Sequence, residues 1–292
     1  MSFCAPSTED LHERTGSCLS LATMKKVARK VVTAPRARAT IAGATKAQLG
    51  SMLQYLTRRP QHEWSKLEGL DAELRQRLEA QFRPQAPSSW VRNRREWLDS
   101  ENIEAVMRQY EKRYRSFKFM GVSARDYDAV VNSYGSCVSQ PLCALDLAGL
   151  QRRGVSRFGV VFNLDRHDQS GSHWVALYCS FVPSRRNFGV YFYDSLGRPP
   201  PREIKRLMDV VVTQVAAMHP RASARFQVGY NDFRRQYKNT ECGVFSILLL
   251  VRLLANDKTF KEICQSTGRD DEIHAYRQVF YRPPTSNAAA AR

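Results

Sequence analysis

From Cys242 to Leu254 the chain reads CGVFSILLLVRLL, an apolar run broken only at Gly243, Ser246 and Arg252. A segment apolar on every side predicts a helix buried at the centre of a domain. It is too short and too interrupted to cross a membrane. Upstream, the runs FGVVFNL, HWVALYCSFV and FGVYFYD are rich in Val, Phe and Tyr and predict strands, with PSRRN joining the last two at hairpin length. Ile103, Val106, Met107 and Tyr110 recur at helical spacing behind a cap at Asp99 or Ser100. REIKRLMDVVVTQVAAM predicts another helix, ARFQVGY a strand, and DEIHAYRQVF a short helix before Arg-Pro-Pro. This order predicts an α+β fold, with helices packed on a central, mostly antiparallel sheet.

The first 92 residues have a different character. LATMKKVARKVV, AQLGSMLQYL and SKLEGLDAELRQRLEAQF are helix candidates, followed by a Pro/Ser cluster at 84–89. The expected organisation is a helical N-terminal extension (1–92), a catalytic domain (93–282) and a flexible tail (283–292).

Charge and cysteine content narrow the setting. The formal charge of +17 implies acidic partners. From Arg14 to His62 there are ten Lys or Arg and no Asp or Glu, a basic arm suited to nucleic acid. Seven cysteines, irregularly spread in a chain of 292 residues large enough to need no staples, predict free thiols in a reducing compartment. The N-terminus lacks a secretory pattern, so the protein is not expected to be secreted. Cys137 and Cys143 form C-x5-C with no second pair at zinc spacing, so no metal site is expected.

Cys242 stands where a polar loop meets the buried helix. A lone cysteine is ordinarily a packed core thiol. A helix N-terminus, however, favours a thiolate and offers unpaired N–H groups to an oxyanion, and Gly243 would let a substrate backbone approach. Such a nucleophile needs a base. His12, His62, His167, His219 and His274 read as exposed or packed, whereas His173 opens a strand after a Gly-Ser turn. If PSRRN closes a hairpin, Asp194 at the end of the next strand lies at the same end as His173 and can orient its ring. The alternative for Asp194 is a turn cap before Gly197. Gln236, six residues before Cys242, could bring an amide N–H to a developing oxyanion.

GSHW, YFYDSLG and QYKNTECGVFSI, in this order with 21 and 48 residues from His to Asp to Cys, resemble the SUMO-protease and adenain-like clan of cysteine proteases. WLDSENI is similar to the Trp-Leu motif of SUMO proteases, and KNTECGVFSI with EIHAYRQVFYRP resembles, in style, polyprotein-processing proteases of large DNA viruses. The resemblance covers about residues 91 to 281. It implies a papain-like fold with His-Asp-Cys chain order, Cys242 as nucleophile, His173 as base and then acid, Asp194 as orienting group, and Gln236 with the Cys242 N–H as oxyanion hole. It also implies that Trp97 and Trp174 line a tunnel for a Gly-Gly tail; flat indoles admit an extended backbone only where side chains are missing. The expected activity is endopeptidase cleavage after Gly-Gly or Gly-X-Gly in viral precursors, in the virion and the host cell. No cofactor is required, and DNA is an expected activator. Two alternatives stand beside it: an isopeptidase for SUMO or ubiquitin-like proteins, and a nucleic-acid-binding scaffold whose function is the basic arm.

Overall fold

The computed structural model describes residues 3–131 and 135–284. The tail expected at 283–292 falls, from residue 285 onward, outside the described residues. The chain forms two compact units, residues 1–87 with 280–292, and residues 88–279.

The first unit is helical: α1 (Glu9–Thr15), α2 (Leu21–Val31), α3 (Pro35–Ile41), α4 (Lys46–Thr57) and α5 (Ala72–Glu79). Ser20 caps α2 through the Thr23 N–H, and Thr45 with Gln48 forms a reciprocal capping box on α4. Met24, Val27, Leu49, Leu53, Trp64 and Leu78 meet in its core. Lys26, Arg29 and Lys30 occupy the exposed face of α2. The segment around Arg282 returns to this unit, where the Ala86 N–H donates to the Arg282 carbonyl at 2.9 Å.

In the second unit the elements are α6 (Ser100–Arg113), β1 (Phe117–Ala124), α7 (Gln140–Cys143), α8 (Leu147–Arg152), β2 (Arg157–Asn163), β3 (Trp174–Ser180), β4 (Gly189–Tyr193), α9 (Arg202–Met218), β5 (Gln227–Tyr230), α10 (Cys242–Ala255), α11 (Phe260–Ser266), α12 (Asp270–Ala275) and α13 (Arg277–Phe280). One sheet runs β1-β2-β3-β4-β5. The α+β expectation holds, but the sheet is evenly mixed rather than mostly antiparallel. β2, β3 and β4 form an antiparallel meander, and both flanking strands pair in parallel. β1 escaped the sequence pattern because Lys118 and Ser123 interrupt its apolar residues and its ladder shifts register between Phe119 and Val122. β5 follows β4 through the α9 crossover, which requires parallel pairing.

Period-2 alternation gives the sheet two apolar faces. Val175, Leu177 and Cys179 of β3 share a core with Ile204, Leu207, Val211 and Val215 of α9. On the other face α10 lies over β3. Eleven of its 14 residues are buried, which accounts for a sequence apolar on nearly every side. No described helix is long and apolar enough to cross a membrane.

The expectation of free thiols holds for Cys179, Cys242 and Cys264 only. Cys4 pairs with Cys18 and Cys137 with Cys143. Both pairs are close in sequence, and the folded backbone brings each to disulfide separation, with Cα atoms 5.2 and 6.5 Å apart.

Candidate active site

The β3–β4 hairpin sets the first distance. Ala176 pairs with Tyr193, so His173, before β3, and Asp194, after β4, emerge at the same end of the sheet. His173 Nε2 lies 2.6 Å from Asp194 Oδ1. Cys242 acts on the ring as well, through its charge and hydrogen-bonding capacity. Burial alone would depress the His173 pKa. The hydrogen bonds and charges of Asp194 and Cys242 outweigh it and raise the pKa to about 9.

Asp194 is buried, 1% exposed, and strongly held. Its Oδ1 also accepts the Leu196 N–H at 2.9 Å, and its Oδ2 accepts Arg198 Nε at 2.8 Å. Burial pushes its carboxyl up, but the His173 contact and charge, then the Leu196 and Arg198 donors, hold it below its ordinary range. Asn231, just beyond β5, clamps the Asp194 backbone by accepting from its N–H (2.9 Å) and donating to its carbonyl (2.6 Å). The turn reading of Asp194 is realised as well, since the Gly197 N–H donates to the Asp194 carbonyl at 2.8 Å. Gly197 has φ +73°, and a Cβ there would lie 2.5 Å from the Phe233 backbone, so this turn touches the loop that leads to Gln236.

Gln236 is buried and adjoins Asp194 through its neighbour. Ser195 Oγ donates to Gln236 Oε1 at 2.6 Å, and the Gln236 N–H donates to the Ser195 carbonyl at 2.9 Å. Cys242 is the first residue of α10, where backbone N–H groups lack intrahelical partners. Before it, Glu241 is fully buried and accepts from Arg277 Nε (2.9 Å), with His274 Nδ1 also at 2.9 Å.

Trp174, the start of β3, donates its indole N–H to the Leu98 carbonyl at 2.7 Å. Trp97 adjoins that carbonyl's residue and is 45% exposed. The space beside Gly243 is filled by Leu98, whose Cβ would lie 3.0 Å from an added Cβ. The glycine thus lets α10 and the Trp97–Leu98 segment approach each other. Among the described residues no group of three His, Cys, Asp or Glu could hold a metal.

A histidine held by a carboxylate, a thiol at a helix start and a buried amide are groups that acyl transfer uses. Over 202 residues, 69% of this chain, the sequence is 30% identical to a protein of Acanthamoeba polyphaga mimivirus named as a thiol protease, and spans about 60% of that relative's length. It is 24% identical over 225 residues to a SUMO-1 cysteine protease of African swine fever virus, covering 75% of this chain and 78% of that one. The crystal structure of an African swine fever virus protease superposes with a TM-score of 0.66 at 20% identity, over 97% of this chain and 96% of that chain.

The chain is thus similar to the SUMO-protease-like clan of viral cysteine proteases. No family model matches it. Its fold is the protease fold of that clan, with a mixed five-stranded sheet between helices.

His173 meets Asp194, Gln236 adjoins them through Ser195, and Cys242 raises the His173 pKa, while Trp97, Trp174 and Gly243 are linked through Leu98. Ser195, Arg198, Asn231, Glu241 and Asp270 were not singled out from sequence. The DS dipeptide of YFYDSLG set Ser195 beside Asp194, and ECG set Glu241 beside Cys242, but nothing local announced the contact of Ser195 with a glutamine 41 residues away.

Proposed function

We propose that the chain is a cysteine endopeptidase that cleaves after small residues, of Gly-Gly or Gly-X-Gly type, in viral structural precursors. The observation that carries this reading is His173, held at 2.6 Å by Asp194, with its pKa raised by Asp194 and by Cys242, the first residue of α10. His173 removes the thiol proton, and the Cys242 sulfur forms a bond to the scissile carbonyl carbon. The carbonyl electron pair moves to oxygen, where the Cys242 N–H and Gln236 Nε2 receive it. The imidazolium then protonates the leaving amine as the C–N bond breaks. Water, deprotonated by His173, attacks the thioester, and the thiolate leaves. Asp194 holds the ring throughout. These steps require no metal or organic cofactor.

Trp174 and the half-exposed Trp97 support a narrow passage for glycine, with Gly243 and Leu98 setting their position. The exposed cations of α2 support binding of nucleic acid by the arm at residues 14–62, with DNA as an activator. This reading places the protein in the virion and the infected cell.

The name of the African swine fever virus relatives favours one second reading, removal of SUMO-like modifiers, since a glycine passage also fits a modifier's Gly-Gly tail. The test is cleavage of Gly-Gly-X peptides by wild type and Cys242→Ala, followed by a SUMO fusion set against a capsid-type precursor. Turnover lost in Cys242→Ala supports the protease, and preference for the precursor supports maturation. Equal turnover by both proteins, or preference for the SUMO fusion, contradicts the respective claim.

A further inference from the structure

The loop between β5 and α10 is fastened at both ends of one side-chain amide. Gln236 Oε1 accepts from Ser195 Oγ at 2.6 Å, while Gln236 Nε2 donates to the Lys238 carbonyl at 2.7 Å. A hydroxyl can donate or accept and so tolerates either end of an amide; a carbonyl can only accept. The Lys238 carbonyl therefore decides which end is nitrogen, and Ser195 completes the arrangement by donating to oxygen.

The Lys238 peptide is itself held. Its N–H donates to Asp270 Oδ1 at 3.0 Å, and the Tyr237 N–H donates to Asp270 Oδ2 at 2.8 Å. Asp270, the first residue of α12, is 4% exposed, and Ser195 and Gln236 are 1% and 2% exposed. Buried polar groups held by several partners keep one geometry, because breaking any of those hydrogen bonds in the interior is costly.

One N–H of Gln236 remains for a substrate oxyanion. An amide turned by half a rotation would instead present oxygen to the developing negative charge. We infer that Ser195 and Asp270 are positioning residues of the oxyanion hole: Ser195 acts on the amide oxygen of Gln236, and Asp270 acts on its nitrogen through the Lys238 peptide. This rests on the acyl-transfer reading above. Neither residue touches the reacting atoms.

Ser195→Ala, Asp270→Asn and Asp270→Ala are compared with wild type in the full chain, alone and combined with Gln236→Ala. Each is measured by kcat and KM on a Gly-Gly-X peptide, by affinity for a Gly-Gly peptide aldehyde, and by the rate of Cys242 alkylation with iodoacetamide. The aldehyde adduct carries an oxyanion, whereas alkylation forms none. Ser195→Ala and Asp270→Ala should each lower kcat about 10- to 100-fold with KM within about twofold, and weaken the aldehyde in parallel. Alkylation should be unchanged, Asp270→Asn, which keeps one acceptor oxygen, should lose less, and on the Gln236→Ala background the losses should largely vanish. Unchanged kcat, alkylation that falls together with kcat, or equal losses on the Gln236→Ala background would overturn the inference alone. A wild-type protein that neither turns over peptide nor binds the aldehyde would overturn the proposed function and this inference with it.

Discussion

Asp194 and His173 are 21 residues apart in sequence and 2.6 Å apart in space, and the β3–β4 register is what closes that gap. The carboxylate also holds Arg198 and the Leu196 N–H, and Asn231 clamps the Asp194 backbone, so partners other than the histidine fix its orientation. Replacing Asp194 with Ala should lower kcat on the order of 100-fold or more. It should also lower the alkaline limit of the pH–rate profile from near 9, because the interactions that raise the His173 pKa lose their largest member. A profile unchanged in Asp194→Ala would show that another group holds the proton.

The same pair shapes stability against pH. The His173 pKa is raised from 6.5 to about 9, so its contribution is complete below 6.5 and lost as pH rises through about 9. The Asp194 pKa is lowered from 3.8, so its contribution is present above 3.8 and lost as pH falls through the depressed value. Urea unfolding across pH should show the alkaline loss in wild type and a much smaller one in His173→Ala. Equal alkaline losses would assign the effect elsewhere.

Much of this site was legible in the sequence because its parts sit at element ends that have local signals. The Gly-Ser turn marks the start of β3, PSRRN marks the hairpin, and the apolar run marks α10, which together place His173, Asp194 and Cys242. The supports were not legible, because they arise from tertiary folding: Asn231 and Ser195 act through partners 37 and 41 residues away. β1 was hidden by its polar residues and register shift, and with it one of the two parallel pairings of the sheet. The pairing of four cysteines was hidden because spacing does not report where thiols fold.

Glu241 and Arg277 form a buried ion pair at 2.9 Å, with exposures of 0% and 4% for their side chains. Glu241→Ala leaves Arg277 buried without its carboxylate, which should cost about 3–5 kcal/mol. Urea denaturation at neutral pH measures this directly. A loss below about 1 kcal/mol would show that Arg277 finds water or another acceptor.

Trp97 is half exposed, so Trp97→Ala should change stability by less than about 1 kcal/mol. On the proposed reading it should still raise KM about tenfold for Gly-Gly substrates and reduce discrimination against Gly-Ala. A peptide library read by mass spectrometry tests this, and unchanged selectivity would remove Trp97 from the passage.

Lys26 and Arg29 are exposed on α2, with Met24 and Val27 beneath them in the core. On the proposed reading of the arm, Lys26→Glu with Arg29→Glu should weaken DNA binding and make the logarithmic salt slope shallower by about 0.9 for each phosphate that is no longer neutralised. A slope identical to wild type would place the nucleic-acid interface elsewhere.

The most direct test of the central claim is the mapped site of attack by a Gly-Gly peptide ending in an electrophile. Cys179 and Cys264 are buried thiols that burial raises, Cys179 well above its ordinary pKa and Cys264 to about 12, whereas Cys242 opens α10 and acts on His173. Mass spectrometry should find a single adduct at Cys242, formed by wild type and strongly slowed in His173→Ala. An adduct on any other cysteine, or none, would contradict the assignment of Cys242 as the nucleophile.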